Sequence, residues 1–476
     1  MRPIARPLLA LAGVLAATGA AGAQVPGGRC NLTFTNTPNT RLRSVQVPGG
    51  RYQSFIGGGV FAKCDQQDVT LQSDSAEYYE TTNMVILLGS VRYKEPRARV
   101  ESRKLTYFMT DERLYAEGDV VVTLPSGTTM KGPNVEYFRA VPAVRKESRM
   151  WSPQRSLTRL VQKDSAGKPH EPVIVQADRT LGQNDSLIFL GGRVTIDRSD
   201  ITSASDSARL DAGTNFAQLV GNAVVRGKGQ RPFTLESTVI DLFTRERQLE
   251  RVKARGSARA IGEDFDLSSD TILLHVDSSR IERAQAWGRR RALVVSPGRR
   301  MIADSLDVHM PRQRVRLVRA LRGAYAESEP DSVKIRSKER DWIRGDTLVA
   351  EFDSIPAADT ASKSRVKSIV ATGTARSYYQ VASSTGKVER PGVNYVRGAF
   401  ITVRFDTTGL RTVQVDEKAV GVYLEASRDT VVSAKKGAGK APAKGTTLPV
   451  PARGAPATTP APAIPPAPAI KPVGTP

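Results

Sequence analysis

The chain has 476 residues, with 70 Lys and Arg against 48 Asp and Glu, 2 Cys and 3 His. Two cysteines cannot build a disulfide scaffold or a four-thiolate zinc site, and His170, His275 and His309 are too few for a histidine-built centre. The 39% hydrophobic share is below that of ordinary globular chains, which argues against one large globular core.

Taken in chain order, residues 1–23 have the form of a secretory leader. Arg2 and Arg6 precede the apolar run Leu8–Ala17, and Ala21-Gly22-Ala23 fits a small-x-small cleavage site. The run is about half the length of a membrane helix, so export is favoured over an uncleaved anchor. Residues 24–64 form an N-terminal segment holding both cysteines. In an oxidising compartment Cys30 and Cys64 are expected to pair as a structural staple.

From residue 65 one pattern recurs. A short polar anchor opens a strand, as in Ser73-Asp74-Ser75-Ala76, Ser205-Asp206-Ser207-Ala208 and Ser269-Asp270-Thr271. A turn cluster follows, such as Thr81-Thr82-Asn83 or Asp211-Ala212-Gly213-Thr214-Asn215. A β-rich run then closes on a glycine, as at Gly89, Gly118, Gly192, Gly221, Gly256, Gly323 and Gly373. Gly89 to Gly118 and Gly192 to Gly221 are both 29 residues apart, and Gly221 to Gly256 is 35. A fixed period with tolerated insertions marks a stacked architecture.

Within units the apolar residues alternate, the two-residue period of half-buried strands. Leu114, Ala116, Gly118, Val120, Val122 and Leu124 share one face, Phe233, Leu235, Ser237 and Val239 another, and Ile401, Val403 and Phe405 a third. The pattern covers residues 65–139 and 173–426. Between them, 140–172 reads as a basic insertion loop with Arg145, Lys146, Arg149, Arg155 and Arg159 around Trp151. Residues 434–476, rich in Lys, Pro and Ala and free of acids, read as a disordered tail. The tail carries +6 and the leader +2 of the formal net charge of +22, leaving a body that is still basic. Such a body suits phosphates or anionic lipid.

The run Val69–Tyr79, then Asn83–Val91, Leu105-Thr106-Tyr107 and Leu114–Val120 resembles the OstA-like (organic solvent tolerance) family of lipopolysaccharide transport proteins. The likeness is close over 55–138 and looser up to about 425. It implies an all-β fold: an elongated, twisted β-jellyroll of stacked V-shaped antiparallel strands. It also implies an apolar groove for acyl chains and a bridge between the inner and outer membranes. Candidates for lining that groove are Leu88, Val91, Val120, Val122, Val194, Ile196, Val224 and Leu235, and alternation alone does not separate lining from ordinary core. The chain is much longer than a simple bridge protein and lacks the C-terminal barrel of the translocon.

The implied function is non-catalytic lipid carriage in the periplasm, with no cofactor and no enzymatic activity, in contact with inner- and outer-membrane transport components. The implied cargo is lipopolysaccharide or another anionic amphipathic lipid. Open terminal strands invite end-to-end self-association. Nucleic acid is not an expected partner, because an exported chain with no groove-entering helix has little use for one. The alternative is an exported β-solenoid surface module that binds polysaccharide or acts as an adhesin. Asp264 and Asp266 resemble a carboxylate pair but suit a solvated turn, and Arg289-Arg290-Arg291 with Arg299-Arg300 suit a solvated edge.

Overall fold

The computed structural model describes residues 30–425, except 31, 36–37, 65–66, 143, 162–170, 185, 246–247, 264, 331, 333–334, 354–363, 383–390 and 407–408. The leader, the tail, His170 and Asp264 lie outside the described residues. Among the described residues, apart from a three-residue 3-10 turn at Pro311–Gln313, the regular structure is all β. The 26 strands join in one antiparallel sheet, in which each long strand pairs with the next in the chain.

Most strands are bent at their middle, and both halves bury side chains on the same inner side. In Arg113–Thr123 the buried residues are Leu114 and Ala116 before Gly118, and Val120 and Val122 after it. At both ends of the ladder a rung is broken at the bend into two strands. Leu32–Thr35 and Arg41–Val47 pair with the two halves of Arg51–Cys64. Gly409–Asp416 and Val420–Leu424 do the same for Gly392–Asp406 at the other end.

The expected insertion loop at 140–172 needs correction. Arg149–Ser152 and Ser156–Leu160 form one broken rung, and Val173–Ala177 and Arg179–Gln183 form the next. The first of these breaks falls at Pro153, which has no N–H to give to a ladder. The ladder therefore runs unbroken from Thr129–Phe138 to Leu187–Asp197.

The corner is built by two residue types. At Asp206 and Gly221, the Asp side chain fills the space outside the glycine: a Cβ there would meet Asp206 Cβ at 2.9 Å. Gly221 has a φ of +77°, and Asn222 Nδ2 donates to Asp206 Oδ2 at 2.9 Å. The glycine strand also carries one residue more than its partner across the corner, as between the pairs Gln72–Arg92 and Ser75–Leu88. It keeps its inward phase, and the anchor strand changes phase, burying Leu71 and Ser73 and then Ala76. The expected single face of Phe233, Leu235, Ser237 and Val239 breaks for this reason. Phe233 and Leu235 are buried, but beyond the corner Ile240 and Leu242 take over.

Two apolar cores fill the space between the arms. One runs from Cys30 to Tyr137 and the other from Val175 to Val403. Cys30 and Cys64 form the expected disulfide, with Cα atoms 5.1 Å apart, inside the first core. No helix among the described residues is long and apolar enough to cross a membrane.

Candidate functional site

Alternation along bent strands gives each rung an apolar inner face, and the two arms press these faces together. Six of the eight lining candidates lie there. Val91, Val120 and Val122 belong to the first core, and Val194, Ile196 and Leu235 to the second. Leu88 and Val224 do not: both are half-buried on the opposite face. Their neighbours Leu87, Ala223 and Val225 take the inner positions, fully buried. Two adjacent apolar residues offer two phases, and the corner decides between them.

On the corner side each rung is held by a continuous backbone. On the other side, among the described residues, the arm tips meet through side chains and loops, which makes a seam. In the first core the seam is closed by Arg139, just beyond Thr129–Phe138. Its Nε lies 2.8 Å from Glu95 Oε2, its Nη1 2.6 Å from Glu112 Oε2, and its Nη2 donates to Gln67 Oε1 at 2.7 Å. Glu95 ends one arm's strand, whereas Glu112 and Arg139 sit at the tip of the other arm.

Apart from the half-buried Gln67, the cluster is buried. Glu112 is 0% and Arg139 5% exposed, and Tyr93, Tyr107 and Tyr137 donate their hydroxyls to the two carboxylates. Cys30 N–H donates to Glu112 Oε1 at 2.8 Å, which ties the disulfide to the same cluster. Burial opposes the charge on Arg139, but Tyr93, Tyr107 and Glu95 outweigh it and hold its pKa above the usual guanidinium value. Burial pushes the Tyr93, Tyr107 and Tyr137 hydroxyls well up, so they remain donors.

In the second core the seam is crossed by the loop after Arg299–His309. Gln313 Nε2 donates to the Arg231 carbonyl at 2.6 Å, and Arg231 Nη1 returns a bond to the Gln313 carbonyl at 3.4 Å. Arg231 lies in the turn after Phe216–Gly227, at the opposite arm tip. A Cβ on Gly229 would meet the Ser279 carbonyl at 3.0 Å, a second close approach across the same gap.

The outer face carries charge and one feature that the sequence pattern had not revealed. Tyr325, Trp342, Tyr378 and Tyr395 form a cross-strand row over successive rungs, with the Trp342 ring centroid 6.2–6.3 Å from that of each tyrosine. Their separations in sequence hide the row, which pairing register alone would have exposed. Arg289 and Arg290 give their N–H groups to Asp270 at a corner, at 2.6 and 2.9 Å. Arg300 pairs with Glu327 at 2.8 Å, and Asp266 is held by Arg259. His309 Nε2 lies 3.3 Å from Asp307, and no cluster of three or more potential metal ligands occurs among the described residues.

No protein-family model matches the chain, and neither does any curated protein. Among solved structures, it is similar to the crystal structure of LptH, the LptA-homologous periplasmic component of the conserved lipopolysaccharide transport device from Pseudomonas aeruginosa. The identity is 18% and the TM-score 0.23, over 26% of this chain and 94% of that one. At that TM-score the likeness carries no functional argument.

Proposed function

We propose that the chain is a non-catalytic periplasmic lipid carrier, a bridge in lipopolysaccharide transport and outer-membrane assembly. The observation that supports this reading is an uninterrupted apolar interior from Val175 to Val403 between arms joined covalently on one side only. An acyl chain enters by parting the seam. It then covers the apolar surface that parting exposes, so the opening costs mainly the contacts at the arm tips. No bond is made or broken.

The OstA-like pattern of Val69–Val120 and the export leader agree with this role, with transport components of both membranes as partners. The terminal rungs leave Leu42, Val422 and Leu424 more than half exposed beside open strand edges, which suits stacking of further jellyrolls.

The test is photo-crosslinking from Val120, Val194 and Val225, with Arg103 and Arg290 as exposed controls, in the presence of lipopolysaccharide. Labelling confined to the inner three is expected. Equal labelling at the controls would remove the carrier reading. A second reading, polysaccharide binding, draws on the Tyr325–Trp342–Tyr378–Tyr395 row. It calls for quenching or enhancement of Trp342 fluorescence by soluble glycan without interior crosslinking.

A further inference from the structure

Over Asp341–Phe352, Val366–Val381 and Gly392–Asp406, pairing register lines up two rows of side chains. Trp342 stands opposite Tyr378, and Tyr378 opposite Tyr395. Two residues away on each strand, and therefore on the same face, Arg344 stands opposite Arg376 and Arg376 opposite Arg397. Tyr325 heads the arginine row as the partner of Arg344, and its ring reaches Trp342 on the diagonal. Ile343 and Ser377, between the rows, are buried on the inner side, so both rows belong to the outer face.

The arginine row is unfavourable as it stands, because like charges directly opposite one another on adjacent strands repel. Glu327, Glu339 and Asp346 lie close to the rows, and each is engaged. Glu327 pairs with Arg300 and Arg340 at 2.8 and 2.9 Å, and Glu339 accepts from the Tyr378 hydroxyl at 3.0 Å. Asp346 fills a corner, where a Cβ on Gly373 would meet its Cβ at 2.7 Å. The Arg344 guanidinium lies over the Trp342 ring, 5.7 Å from its centroid. Among the described residues, Arg376 and Arg397 make no ion pair or side-chain hydrogen bond.

The two rows also share a hollow. Tyr325, Arg344, Arg376 and Asp346 line a cleft of about 400 Å³, within the range of small-molecule sites. The Trp342 and Tyr378 rings beside it are near parallel, with planes 12° apart.

We propose that the paired rows bind an acidic glycan, a chain of sugar rings that carries carboxylate, sulfate or phosphate groups. The proposal rests on the polysaccharide reading of the aromatic row and names the class of glycan. Sugar rings lay their C–H faces against the aromatic side chains, and their anionic groups take paired N–H donors from the guanidinium groups. Both rows repeat once per strand, about 4.8 Å apart, so the glycan runs along the ladder and across the strands. Several weak contacts on one chain then add up. An arginine and aromatic surface also suits single-stranded nucleic acid, but residues 1–23, with the form of an export leader, favour the glycan. The site lies on the opposite face of the sheet from the apolar interior, so an occupant of one does not block the other.

The test uses the full exported chain and three probes: an oligogalacturonate, its methyl ester, and an oligothymidylate of equal charge. Binding is read by calorimetry. The variants are R344Q/R376Q, R397Q and W342A, with R344K/R376K as the charge-keeping control. Wild type is expected to favour the acid over its ester by at least about tenfold. R344Q/R376Q should lose most of that preference, R397Q part of it and R344K/R376K least, whereas W342A should weaken acid and ester alike.

A preference unchanged in both Gln variants overturns the arginine row as the site. Equal binding of acid and ester by wild type, with both lost in W342A, overturns the acidic glycan and leaves the polysaccharide reading standing. Binding of neither overturns both. Tighter binding of the oligothymidylate, lost in the same variants, overturns the glycan in favour of nucleic acid. Thermal unfolding of each variant identifies any that fail to fold, and R397Q, on a separate strand, keeps the test decisive.

Discussion

The Asp74 carboxylate occupies the space that a side chain at position 89 would need, and Gly89, at φ +77°, leaves it free. Ser90 Oγ then donates to Asp74 Oδ2 at 3.3 Å, so the corner is fixed from both strands. Gly89→Ala is expected to cost roughly 2–3 kcal/mol through backbone strain and the clash with Asp74. Adding Asp74→Ala should return part of that loss. Urea unfolding of the two single variants and the double variant gives the coupling, and a Gly89→Ala chain as stable as wild type would refute the corner assignment.

Arg139 is surrounded by two buried carboxylates and three tyrosines. Arg139→Met leaves Glu95 and Glu112 uncompensated, and the expected loss is about 3–5 kcal/mol. Converting both acids to Gln in the Arg139→Met background should recover most of it, because the cost lies in unpaired charge rather than lost packing. Guanidinium-chloride unfolding of the set measures both effects. No recovery would mean that the guanidinium acts mainly as packing volume.

The Cys30–Cys64 bridge spans a sequence separation of 34 and shares the Glu112 cluster. Reduction, or the double replacement by Ala, is expected to lower stability by about 3–4 kcal/mol on loop-closure grounds. The transition of the first core should move to lower denaturant while that of the second core stays in place. Tyrosine emission near Tyr93 and Tyr107 against Trp342 emission separates the two.

Asp341 gives a pH signature. Burial raises its pKa above the ordinary carboxylate value, and the Gln380 N–H at 2.8 Å only partly offsets this. The folded state therefore favours the protonated form. The stability this contributes is complete below the ordinary carboxylate pKa and is lost as pH rises through the raised value. Asp341→Asn should be the more stable chain at neutral pH, with the difference shrinking on acidification. Melting curves from pH 3 to 8 check this, and a gap that widens toward acid would reverse the assignment.

The strand rhythm, the anchor and glycine words and the disulfide were all legible in the sequence, because each is local or rests on two unique residues. The phase was not legible at every point. Leu87 and Leu88, or Val224 and Val225, are equally apolar, and only the extra residue at the corner selects which of them turns inward. The seam was hidden for another reason. Glu95 and Arg139 are 44 residues apart and Arg231 and Gln313 are 82 apart, and no periodicity links them. The stretch 140–172 looked like a loop because Pro153 breaks a strand into two words too short to recognise.

Because in the backbone ladder each rung bonds to the rungs before and after it in the chain, the ladder sets no particular length. Removing the hairpin Thr234–Arg245 with Gln248–Ile261 would leave Phe216–Gly227 facing Asp266–Asp277, a strand of the same polarity as its former partner. Inserting a hairpin elsewhere would displace nothing already paired. The unequal glycine spacings of 29 and 35 residues then record rungs of unequal strand length, since the residues between strands number 7 from Gly192 to Gly221 and 8 from Gly221 to Gly256. Span becomes a heritable dimension that changes in whole hairpins, so the length of such a chain can be altered without repacking the strands that stay.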